Sequence, residues 1–244
     1  MSKQVVVVGL GEIGKPLFDI IREQYPTVGV DADPVEVEGE CAIMHVCFPF
    51  DSGRFAEECK RYIHKYRPGL TIINSTVVPT TTRAIGGSTG TRVVHSPIRG
   101  KHWQMREDLL HYTKFIGGTD ADACREAEKH FHSLGMKTRV LSSPEAAEIA
   151  KLSETAYFGL LIAWAQEVER YCDRLGCDYD EVVGIYDEIG FFPPVKYTPG
   201  VIGGHCVMPN IEILRDVFES DLLEAIRNSN ESKVVRDSGR NKRS

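Results

Sequence analysis

The chain has 244 residues, of which 42% are hydrophobic and 26% charged, with a formal net charge of −6. That is the make-up of a globular protein able to bury roughly 70–75% of its unfolded surface, and its acidic balance disfavours nonspecific nucleic-acid binding. No apolar run approaches the roughly 18 residues a membrane span needs, and MSKQVVVVGLGEIG runs straight into a strand, so no membrane association and a cytoplasmic location are expected.

Gln4 to Val8 is a β-branched run of the kind buried on both faces of a parallel sheet. It leads into Gly9-Leu10-Gly11-Glu12-Ile13-Gly14, and Ile13, Leu17, Ile20 and Ile21 then give a following helix one buried face. Strand, glycine turn and helix in this order predict dinucleotide binding. The first glycine makes the turn, the second admits a pyrophosphate and the third packs helix on sheet. Thr27 to Val30 reads as a second strand ending at Asp31, an acid placed to accept hydrogen bonds from the adenosine ribose. Asp33 and Glu36 follow with no Arg or Lys before Arg54, which predicts NAD rather than NADP.

Ala42 to Cys47 reads as a third strand, although Asp33 to Cys41 is too short for a helical crossover, so either the crossover is a loop or the strand is misplaced. Phe48-Pro49 ends it, and a helix from Asp51 to Tyr66 presents Phe55, Cys59, Tyr62, Ile63 and Tyr66 on one face. Leu70 to Asn74 is a further strand that delivers Ser75 and Thr76 to the sheet edge where ligands of α/β folds sit. Thr76 reads either as a site residue or as a helix cap. Gly9, Gly11, Glu12, Ile13, Gly14, Asp31, Phe48, Pro49, Ser75 and Thr76 therefore make up the expected cofactor site. A helix from Pro79 to Ile85, a strand from Arg92 to His95 and an irregular SPIRGKHWQM segment follow. A strand (113–116), a helix (120–134) and a strand (137–141) then complete a doubly wound, Rossmann-like parallel sheet over residues 1–142.

Ser143 and Pro144 start a helix that meets no breaker except Gly159 before Gly176. At about 30 residues it would be roughly 45 Å long. That exceeds what one small sheet can cover, so its stripe of Ile149, Leu152, Ala156, Leu160, Ala163 and Trp164 predicts a homodimer formed through residues 143–175. Helices from Asp178 to Ile189 and from Ile211 to Ile226 complete an all-helical second domain over 143–228. A flexible basic tail is expected from 229, where Lys233, Arg236, Arg240, Lys242 and Arg243 outnumber Glu231 and Asp237. Between those helices, PGVIGGHCVMPN (199–210) sets Cys206 behind Gly203, Gly204 and His205, in a run too rich in Gly and Pro for regular structure. It reads as a cleft-facing thiol or as a loop with a buried cysteine. The seven cysteines form no CxxC pair and no zinc-like spacing with histidine, so reduced thiols and no metal are expected.

The glycine turn, STVVP at 75–79, KLSET at 151–155 and the GGHC turn stand in one chain and one order. This combination closely resembles the nucleotide-sugar 6-dehydrogenases, the UDP-glucose and GDP-mannose dehydrogenase family, over residues 1 to about 226. The resemblance implies that Cys206 is the nucleophile, Lys151 the catalytic lysine and Thr76 an active-site threonine. Lys151, Thr155, Gly203, Gly204 and His205 would line the substrate, a primary alcohol on a sugar-like molecule that NAD oxidises toward the acid through a thiohemiacetal and a thioester. The chain is expected to lack the family's C-terminal nucleotide-binding domain. Three positions depart from the family pattern. Asn210 replaces an Asp, so this member of the expected catalytic set cannot act as a base. Thr155 replaces an Asn, and Ile98 replaces the Glu of an SPE segment. Two alternatives stay open: a two-electron hydroxyacid-type dehydrogenase using Lys151, and a non-catalytic NAD-binding subunit.

Overall fold

The four valines at 5–8 favour extended backbone through their branched side chains, and Lys3–Val8 forms β1 at the heart of a seven-stranded sheet. The computed structural model describes residues 3–31, 35–51, 53–190 and 197–240. In chain order these are β1, α1 (Gly14–Ile21), β2 (Thr27–Val30), β3 (Glu40–Val46), α2 (Phe55–Tyr66), β4 (Leu70–Ile73), α3 (Thr81–Thr89), β5 (Val93–His95), α4 (Met105–His111), β6 (Lys114–Gly118), α5 (Ala121–Ser133), β7 (Thr138–Val140), α6 (Pro144–Leu175), α7 (Tyr179–Gly184), α8 (Val207–Arg215) and α9 (Asp221–Arg240). The strand order is β2-β1-β3-β4-β5-β6-β7.

Alternation along the strands splits the core into two layers. Val5, Val7 and Ile72 pack with Ile20 of α1 and Phe131 of α5. Val6, Val8 and Met44 pack with Phe55 and Ile63 of α2 and Ile85 of α3. The third strand is present, and residues 35–39 ahead of it carry no helix. One departure from an all-parallel sheet is β6, which runs antiparallel to β5. The segment between them, expected to be irregular, contains α4, whose Met105 and Leu109 are buried in the first layer.

Residues 1–151 and 152–244 form two compact units. The start of α6 is set by Ser143, whose Oγ accepts the Ala146 N–H at 3.1 Å. In the second unit Leu152 and Ala163 of α6 share a core with Ile202, Val207, Ile211, Leu223 and Ile226. Gly159 permits this packing, because a Cβ there would lie 2.8 Å from Val207 Cγ1. Trp164, part of the stripe expected to meet a second copy, is 52% exposed. Two expectations are corrected. The single helix over 211–226 is two, α8 and α9, with Ser220 Oγ accepting the Leu223 N–H to start the second. Residues 229–240 are not a flexible end but the continuation of α9, with Asn230 and Lys233 buried. Leu223, Ile226, Asn230 and Lys233 fall on one helical face. Two of those four are polar, which hides the face from a hydrophobic pattern.

Candidate functional site

The glycine turn has the geometry its sequence requires. Gly9 has φ +89°, and a Cβ on it would come within 2.6 Å of the Phe48 backbone N. A Cβ on Gly14 would lie 1.7 Å from the Gly9 carbonyl oxygen, so any side chain there would push α1 off the sheet. At Gly11 nothing lies within 4 Å of that position, which leaves its main chain open to a ligand. Glu12 is exposed, and Ile13 packs against the first core layer.

A cleft of about 220 Å³ opens beside this turn, with Gly9, Asp31, Phe48, Glu58, Arg61 and Tyr62 among its walls. Asp31, at the end of β2, is exposed there, while Asp33 lies outside the described residues. Arg61 and Glu58 were missed by sequence reasoning. They stand on the polar side of α2, and only the fold turns that side toward Asp31. Arg61 is paired with Glu58 at 2.6 Å and its guanidinium lies 4.6 Å from the Tyr62 ring centroid. The cleft is therefore not purely acidic. Pro49 is exposed beside Phe48, and the Ser75 hydroxyl donates to the Phe48 carbonyl at 2.6 Å, joining two of the predicted strand ends.

Thr76 is half-buried after β4 and does not cap α3. That helix start is satisfied from α6, where the buried Glu148 carboxylate accepts the N–H groups of Thr80 at 2.7 Å and Thr82 at 2.9 Å. Three residues on, Lys151 closes the first unit, and its charge acts on His95 and on Lys114. Lys114, also missed, is buried and donates to the carbonyls of Ser96 and Pro97 at 2.7 and 3.0 Å. Burial pushes its pKa down to about 7. Ile98, the next residue in that segment, lies in the core.

In the second unit Cys206 is exposed and immediately precedes α8, its carbonyl accepting the Asn210 N–H at 3.1 Å. Gly203, Gly204 and His205 are exposed ahead of it, and Gly204 takes φ +78°, a left-handed conformation glycine adopts without strain. The two departures at 155 and 210 meet, since the Asn210 amide donates to the Thr155 hydroxyl at 3.0 Å. Both are neutral.

The profile of the central domain of the UDP-glucose/GDP-mannose dehydrogenase family matches residues 145–232, the stretch holding Lys151, Thr155, Cys206 and Asn210. The UDP-N-acetyl-D-mannosamine dehydrogenase of Pyrococcus horikoshii is 30% identical over 179 residues, covering 68% of this chain and 42% of the relative. The chain belongs to the UDP-glucose/GDP-mannose dehydrogenase family. A solved structure of a UDP-D-ManNAc dehydrogenase from Pyrococcus horikoshii superposes with a TM-score of 0.83 at 24% identity, over 97% of this chain and 70% of that one. The fold also matches the 3-hydroxyisobutyrate dehydrogenase of Mycobacterium tuberculosis, with a TM-score of 0.74 at 15% identity, over 98% of this chain and 94% of that one. The chain thus spans less than half the length of the curated family relative from Pyrococcus horikoshii.

Proposed function

We propose that this family member is an NAD-dependent dehydrogenase that oxidises a primary alcohol of a nucleotide sugar toward the carboxylic acid. The observation that carries the reading is the joint presence of the glycine turn with Asp31, Lys151 on α6 and Cys206 ahead of α8 in a chain of this family. The residues fit a dinucleotide: the open space at Gly11 would admit a diphosphate, and Asp31 faces a cleft able to take the adenosine end. NAD, when bound, would take up hydride from the alcohol carbon.

The remaining chemistry is assigned to the chain's own residues. Lys151, directly or through a water, accepts the hydroxyl proton as the alcohol becomes an aldehyde. Cys206, its thiol proton released to solvent, then bonds through Sγ to the aldehyde carbon, and the carbonyl π pair moves onto oxygen, where the Lys151 ammonium stabilises it. Loss of a second hydride from that carbon, which a second NAD would accept, leaves a thioester. Water breaks its C–S bond, releasing the acid and restoring the thiol. Gly203, Gly204, His205 and Thr155 are assigned to the substrate side, Thr76 to the nicotinamide side and Asn210 to orienting water. The names of the relatives make UDP-N-acetyl-D-mannosamine the first substrate to try. Two NADH per sugar, one NADH or an aldehyde from Cys206→Ser, and no turnover from Lys151→Met are the expected results. Undiminished acid formation by Cys206→Ser would refute the covalent step.

A second reading is supported by the hydrogen-bonded Asn210–Thr155 pair, two neutral groups of which Asn210 stands at a position where the family pattern has an Asp. In it a two-electron dehydrogenase relies on Lys151 alone, gives one NADH per substrate and tolerates Cys206→Ser. A homodimer through α6 is also proposed. Tyr157, Trp164 and Tyr171 recur every seven residues and are all exposed, an apolar stripe along one face of the helix.

A further inference from the structure

The segment carrying Cys206 has almost no regular structure of its own, so its shape depends on what its backbone groups bond to. Gln166 of α6, fully buried, donates through Nε2 to the Gly200 carbonyl at 2.7 Å. Asn230 of α9, 7% exposed, holds Ile202 from both sides. Its Oδ1 accepts the Ile202 N–H at 2.7 Å, and its Nδ2 donates to the Ile202 carbonyl at 3.1 Å. The two amides are joined to each other at 3.4 Å, and Ser229 Oγ donates to Gln166 Oε1 at 2.9 Å. A carboxamide offers a donor and an acceptor at this spacing, so the Asn230 side chain does for Ile202 what a neighbouring strand would do. The Ile202 side chain is anchored in the core beside Leu152 and Ile211. Four residues later the chain reaches Cys206, and beyond it Asn210 is tied to Thr155 of α6.

We infer that Asn230, with Gln166 behind it, is a positioning residue for Cys206. The C-terminal half of α9 fixes the backbone on the upstream side of the thiol, as the Asn210–Thr155 bond fixes it downstream. The inference rests on the reading of Cys206 as the nucleophile. Its physical content is that the loop's stiffness comes from two buried amides, because glycines at 203 and 204 supply none. An apolar side chain at 230 would leave both Ile202 groups unpaired and free the loop to sample other shapes.

The test uses the full chain and the variant Asn230→Leu, close to isosteric with the native side chain. Hydrogen exchange at the Ile202 amide should quicken at least tenfold while the melting temperature stays within a few degrees. With UDP-N-acetyl-D-mannosamine and NAD, kcat should fall at least tenfold while KM for NAD, whose proposed site lies in the other unit, stays unchanged. If Asn230→Leu does not fold, Gln166→Leu is held to the same readouts. A folded variant with native Ile202 protection, or with native kcat, overturns the inference. The two readings fail separately. Full activity of Cys206→Ser removes the nucleophile while exchange at Ile202 still decides whether the tether exists. An inactive Cys206→Ser beside a fully active Asn230→Leu removes only the positioning role.

Discussion

At the scale of single residues, the nucleotide turn was legible because its requirements are local. A left-handed Gly9 and a Gly14 in contact with the Gly9 carbonyl are demanded by a six-residue turn that joins a strand to a helix, and no distant part of the chain can substitute for them. Asp31 was legible for the same reason, as the residue that follows a short strand. Its exposed carboxylate supports little of the fold, so Asp31→Ala should leave the melting temperature unchanged. It should weaken NAD binding about tenfold, a loss of about 1.4 kcal/mol measurable by titration calorimetry. A native affinity in that variant would remove Asp31 from the cofactor site. Arg61 was not legible, since nothing near it in sequence marks the side of α2 that turns toward β2. It also weakens the argument that a 2′-phosphate would meet only negative charge. The Glu58 carboxylate now holds that guanidinium, so Glu58→Gln is expected to raise the affinity for NADP relative to NAD, and an unchanged ratio would show that Arg61 has no reach into the cleft.

At the scale of elements, helices with one apolar face and clear ends were read correctly. In α2, Phe55, Cys59, Tyr62, Ile63 and Tyr66 are the buried positions, and α6 starts at Pro144 with Ser143 as its cap. Misreadings occurred where burial is polar or where a helix end is satisfied from elsewhere. The second half of α9 buries Asn230 and Lys233, and Lys233 reaches Glu169 of α6 at 2.8 Å, so charge pairing and amide bonding replace the missing apolar stripe. The start of α3 is capped by Glu148, 68 residues after Thr80. Glu148→Ala should strand two N–H groups and cost about 1–3 kcal/mol, read as a lower urea midpoint. A midpoint equal to that of the parent would mean water replaces the carboxylate without loss. On the same helix, Trp164→Asp places a charge in the middle of the exposed stripe. Sedimentation should then report a monomer where the parent sediments as a dimer, with NAD binding retained. A parent that is itself monomeric would dispose of the α6 interface.

At the scale of the whole molecule, the sequence pattern predicted a Rossmann-like sheet followed by helices because alternating strands and amphipathic helices leave few other topologies. It said nothing about polar groups inside that sheet. His45 and His130 are buried with their Nε2 atoms 3.0 Å apart, Asn74 bonds the other side of His45 at 3.1 Å, and His95 Nε2 donates to the Ser75 carbonyl at 3.0 Å. Burial holds all three imidazoles below their ordinary range, His95 and His130 at about 4. The unfolded chain therefore binds more protons than the native one once the pH falls below about 6.5, and stability must drop with it. Lys114, lowered by burial to about 7, acts in the same direction at higher pH, since the unfolded lysine stays protonated up to about 10.5. Urea midpoints should fall steeply between about pH 6 and 4.5, with a slope approaching three protons, roughly 4 kcal/mol per pH unit at its steepest. Removing one imidazole by His130→Gln should lower that slope by about one proton. A parent slope of one proton or less over this window would mean that these histidines are hydrated in solution and are not held neutral by burial.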